Sequence, residues 1–69
     1  MSQLYLWQQR LLDEKEQLEQ RLRKLVVFIH TDSEFKKLTE KDQNLLRKQM
    51  DAMTCYLEIL KERVAAFTP

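Results

Sequence analysis

Residues 11–29, LLDEKEQLEQRLRKLVVFI, and residues 45–60, LLRKQMDAMTCYLEIL, decide the fold. In the first stretch Leu11, Leu18 and Leu25 recur at steps of seven, a ladder that reaches back to Leu4, with Leu22 and Ile29 at the four-residue offset. In the second, Leu46, Met53 and Leu60 keep the same step out to Phe67, with Tyr56 between them. Apolar residues three and four apart line one side of a helix, and that side must find a partner away from water. The reading is therefore all-α: an antiparallel two-helix hairpin whose seam is built by these residues.

The pattern predicts one domain over 1–69, with helices over about 3–29 and 40–66 and a hinge over 30–39. Ser2 is the expected N-cap of the first helix. In the hinge, HTDSEFKKLT, Thr31 and Glu34 have capping-box spacing and Asp32 or Ser33 offers an alternative cap. A single helical turn over Ser33–Lys37 follows, with Phe35 and Leu38 folded inward to plug the end of the hairpin. Thr39 and Asp42 repeat the capping spacing before the second long helix, which should start at Glu40. At 1.5 Å per residue both long helices measure roughly 40 Å, so they match end to end, and the short connection makes them antiparallel. Gln8 and Lys15 occupy seam positions, where long polar side chains are read as lying at the edge and reaching water. Glu19 and Arg23 are spaced for an i,i+4 ion pair.

Glycine is absent and Pro69 is the only proline, so nothing interrupts helix propagation. At 69 residues, however, a single seam is a marginal core. One cysteine, Cys55, forbids an internal disulfide, and one histidine, His30, leaves no zinc-type cluster. Self-association is the remaining source of stability. The apolar strip is wide enough for it: Leu45, Ala52, Ile59 and Ala66 form a second ladder on the later helix, flanked by Leu57 and Val64, and Leu6, Leu12, Val26 and Val27 widen the first. A strip this broad suits three or more helices, hence a homo-oligomer, a four-helix dimer first of all or a larger helical assembly. Ala52 and Ala66 permit close approach.

The formal charge is +1, which gives no global field for nucleic acid or an anionic membrane. No segment approaches a membrane span, the first residues do not read as a signal peptide, and one reduced cysteine fits the cytoplasm. Without glycine there is neither a phosphate loop nor a nucleophile elbow. Glu14, Glu16 and Glu19 read as solvated acids, His30 as a helix-terminating cation, and Cys55 as a small apolar group. The expectation is a non-enzymatic protein with no metal and no cofactor.

Binding is the function class that survives. Tyr5 and Trp7 are the candidate protein-binding residues; Trp7 is expected to pack against Phe67 or Val64, which leaves Tyr5 the stronger contact. The alternative ligand is a nucleotide or nucleic acid, held by Arg21, Lys24, Lys37 and Arg47 at the hinge end of an oligomer, with Lys36 and Lys48 nearby. Asp32, Glu34, Glu40 and Asp42 share that end, and no stacking aromatic is interleaved, so a mixed solvated surface is the plainer reading of these charges. A further alternative is a structural component whose only partner is itself.

The succession Arg10, Glu14, Leu18, Leu22, Leu25, Phe28-Ile29, then Phe35, Leu38, Leu45-Leu46, Gln49, Met53, Tyr56, Leu60 and Arg63-Val64 resembles a family of small phage and prophage proteins related to an uncharacterised protein of crAss-like phages. The resemblance covers about residues 8–66. Phe-Ile before the hinge and Leu-Leu-x-x-Gln-x-x-x-Met-x-x-Tyr after it are its distinctive parts; Val64 departs from an expected isoleucine, and Leu4-Tyr5-Leu6-Trp7 lies outside it. It implies a phage or prophage origin and an accessory role in the infected cell, with no binding residues to carry over.

Overall fold

The computed structural model describes residues 4–67, and three helices account for nearly all of them: α1 (Leu6–Thr31), α2 (Ser33–Lys36) and α3 (Glu40–Phe67). α1 and α3 pack lengthwise as a hairpin, and α2 lies against α1 at the closed end. The molecule is a rod of 52 × 17 × 16 Å.

Local chemistry sets each boundary. α1 begins later than the leucine ladder predicts, because Tyr5 is extended (φ −65°, ψ 156°) and stands as the N-cap. The Gln8 carboxamide folds back so that its Oε1 accepts the Tyr5 N–H at 2.8 Å. Gln8 thus secures the helix start, one of the amide donors that no helical turn can satisfy. The expected cap Ser2 and first helical residue Gln3 lie outside the described residues. At the other end α1 continues two residues beyond Ile29: the Thr31 hydroxyl donates to the Val27 carbonyl at 2.7 Å, so it does not cap the next helix. Asp32 takes that task, its Oδ1 accepting the Glu34 N–H at 2.9 Å. α2 closes at Lys36, with the Lys37 N–H donating to the Glu34 carbonyl at 3.1 Å.

Thr39 Oγ1 accepts the Asp42 N–H at 3.1 Å and opens α3 at Glu40. Gln43 then donates from Nε2 to the Leu38 carbonyl at 3.0 Å, which ties the hinge to the helix it precedes. Thr39→Ala removes the cap acceptor and should cost about 1 kcal/mol. Thermal melts followed by circular dichroism should show a lower midpoint with an unchanged spectrum at low temperature.

The core is short and made of leucine. Leu11, Leu18, Leu57 and Leu60 are buried together, with Leu22, Met53, Val64 and Phe67 packed around them. Nearer the hinge Ile29 and Phe35 are buried, and Phe28 meets Phe35 edge-on with ring centroids 5.9 Å apart. Leu25 and Leu46 are half-buried. Two expected seam residues are elsewhere: Leu4 and Tyr56 are each 41% exposed. Leu57 replaces Tyr56, because 53, 57, 60 and 64 are four, three and four apart and share a face, whereas the next residue along a helix is turned by about 100°. Cys55, read as an apolar filler, is exposed for the same reason.

Lys15 ends in an ion pair with Glu19 at 2.7 Å, both side chains about one-third exposed. Glu19 is therefore turned toward Lys15 and not toward Arg23. The hydrogen bond from Lys15 holds the Glu19 carboxyl below its usual value, helped by the more distant charges of Lys61, reaching across from α3, and Arg23.

Candidate functional site

The two ends of the rod differ in chemistry. At the open end, Tyr5 is 71% exposed beside the start of α1. Trp7 sets its ring edge-on against Phe67, at 5.6 Å and 82°, yet remains 53% exposed. One part of the indole closes the hairpin against Phe67, as the sequence led one to expect, and the rest faces water.

At the closed end the chain's near-neutrality breaks down. Residues 21–48 carry eight basic and four acidic side chains, and the remaining residues carry four basic and seven acidic. Because the chain turns back at the hinge, those central residues gather in one half of the rod. The fold thus separates a positive half from a negative half, which a sum over the whole sequence conceals.

Within the positive half the four singled-out cations have different fates. Lys37 Nζ donates to Glu34 Oε1 at 3.0 Å, a pair that water screens because both side chains are largely exposed. Arg47 lies over the Phe35 ring at 5.2 Å and donates from Nη1 to Asn44 Oδ1 at 3.3 Å. Its guanidinium is oriented by these contacts without being neutralised. Arg21 and Lys24 are exposed on α1, and among the described residues neither they nor Lys36, Lys41, Arg47 or Lys48 forms an ion pair. No hydrogen bond or ion pair among the described residues joins Arg21, Lys24, Lys37 and Arg47 to one another. The Phe35–Arg47 contact was not legible beforehand, since it depends on how the hinge folds the ring under α3.

An open depression of about 450 Å³ lies on the first turns of α3, lined by Glu40, Lys41, Asn44, Leu45 and Lys48. Among the described residues no cluster of His, Cys, Asp or Glu could hold a metal ion. Likewise no helix there is long and apolar enough to cross a membrane.

Comparison with known proteins adds one finding. No curated protein and no solved structure matches the chain. A family model described as Sequestin matches residues 6–66, from the first residue of α1 through the hinge to the last turn of α3. With both long helices and the turn between them inside the match, the chain belongs to the Sequestin family.

Proposed function

We propose that this chain is a non-enzymatic sequestering protein of phage or prophage origin. It works in the cytoplasm of the infected cell, as an assembly of several copies that takes a target out of circulation by holding it. The family name itself speaks of sequestration. Self-assembly as a four-helix dimer is supported by the exposure of Leu6, Val27, Leu45, Tyr56 and Ile59 along the rod, an apolar surface that one hairpin leaves in water.

The target is an anionic ligand, a nucleotide in the first instance, and one observation carries this choice: the segregation of charge into a basic closed end. There Arg47 is held over Phe35, and among the described residues Arg21, Lys24 and Lys36, in the same half of the chain, form no ion pair. Such an arrangement attracts phosphates and keeps donors fixed for them. The second reading, a host or phage protein as target, is favoured by Tyr5 and the half-exposed Trp7 at the opposite end.

Calorimetric titration with mononucleotides, dinucleotides and short oligonucleotides at two salt concentrations separates these readings. The expected result is saturable binding that weakens about tenfold over a fourfold rise in salt. Lys24→Glu with Arg47→Glu should abolish it at unchanged helicity, Tyr5→Ala should leave it intact, and the ligand should be recovered chemically unaltered. Consumption of the ligand would overturn the non-enzymatic assignment. Heatless titrations, together with a protein complex lost on Tyr5→Ala, would transfer the function to the second reading.

A further inference from the structure

Leu45, Ala52, Ile59 and Ala66 recur every seven residues along a side of α3 turned away from the core. Leu45 and Ile59 are each about half exposed, at 51% and 53%, and both alanines are exposed. We propose that this row seats a second copy of the chain, docked antiparallel with the two-fold axis at Ala52. The inference rests on the self-assembly reading above and specifies its face, direction and register.

In a two-fold contact every pairing occurs twice. With Ala52 placed on the partner's Ala52, Leu45 falls opposite the partner's Ile59 at either side. The partner's isoleucine then enters the depression that Leu45 lines with Lys41 and Lys48. The small side chains at the axis let the helices approach closely, while Leu45 and Ile59 fill the space beyond them.

Charge complementarity supports this occupant at two scales. The row is flanked on one side by Lys41, Lys48, Cys55 and Glu62, and on the other by Asp42, Gln49, Tyr56 and Arg63. Antiparallel two-fold docking lays each flank against its own reverse. Lys41 therefore meets the partner's Glu62, and Asp42 meets the partner's Arg63. Among the described residues none of these four has an ion pair within its own chain. On the larger scale the same direction sets the basic half of each hairpin beside the acidic half of the other, whereas a parallel docking would set like beside like.

Charge reversal tests the direction, and a cysteine tests the axis. Sedimentation equilibrium should show dimers for the wild type, and Lys41→Glu or Glu62→Lys alone should raise the dissociation constant about tenfold, since each change turns two exposed pairs repulsive. The double reversal should restore the wild-type value. In a Cys55→Ser background, Ala52→Cys should oxidise to a covalent dimer, while Thr54→Cys, on another side of α3, should not. Circular dichroism verifies that each variant is folded. A wild type that sediments as a monomer at every concentration would overturn self-assembly itself. A self-associating wild type in which the double reversal is weaker than either single change, or in which Thr54→Cys links as readily as Ala52→Cys, would overturn this face and direction alone.

Discussion

Leu60→Asp leaves a chain with little helix. Leu60 is the one large side chain among the described residues with no exposed surface, and it stands at the centre of the Leu11–Leu18–Leu57 cluster. Truncating a buried leucine to alanine costs about 2–5 kcal/mol through lost transfer energy and the cavity left behind. Aspartate adds the burial of a carboxylate for which the surrounding leucines offer no partner. A single core in a chain of this size supplies only about 3–5 kcal/mol, so the substitution should exceed the whole margin. Far-ultraviolet circular dichroism should show the collapse, with Leu60→Ala giving a folded but much less stable hairpin. The control is an exposed residue of α3 off both the core and the proposed docking row: Thr54→Asp should retain the wild-type spectrum of the hairpin. If Leu60→Asp were to melt like the wild type, the core would be misassigned.

Phe35→Ala should produce the second-largest loss, about 3 kcal/mol. The ring is only 4% exposed, meets Phe28 edge-on and lies under the Arg47 guanidinium. Its removal opens a void between α2 and the long helices and leaves Arg47 without its support. Phe35→Leu separates the two effects: the leucine still fills the end of the hairpin, while the cation–π contribution of about 0.5–1 kcal/mol is lost. Urea denaturation of the two variants should thus give a large and a small destabilisation. Under the proposed function both should weaken nucleotide binding, because an unsupported Arg47 must be ordered when the ligand arrives. Equal stabilities for Phe35→Ala and wild type would remove Phe35 from the structural core of the hinge.

The hairpin was legible because heptad spacing and an absence of breakers agree, and because Thr39 and Asp42 announce α3 in local chemistry alone. The burial of Phe35 was legible for a similar reason, since a large apolar ring in a polar hinge packs inward, whereas Leu38 beside it is only partly buried. Rotational phase was harder. Tyr56 and Leu57 both fit a loose apolar periodicity, and the choice between them depends on the angle at which α1 crosses α3. Gln8 was read by its place in the ladder, but an extended Tyr5 made its amide acceptor more useful to the backbone. Glu19 had basic residues four positions away on both sides, and spacing alone does not choose between Lys15 and Arg23. The cations at the hinge end were legible once the hinge was placed, but a formal charge of +1 conceals the acidic surplus of the opposite half.

The contact between Trp7 and Phe67 makes the hairpin its own optical gauge. Trp7 is the only tryptophan in the chain, so its emission originates from the place where the first turn of α1 meets the last turn of α3. Separation of the two helices at that end would hydrate the indole and shift its emission to the red, while the far-ultraviolet signal reports total helix. Any lag between the two signals would measure how much the hairpin unzips from its open end before the helices themselves melt.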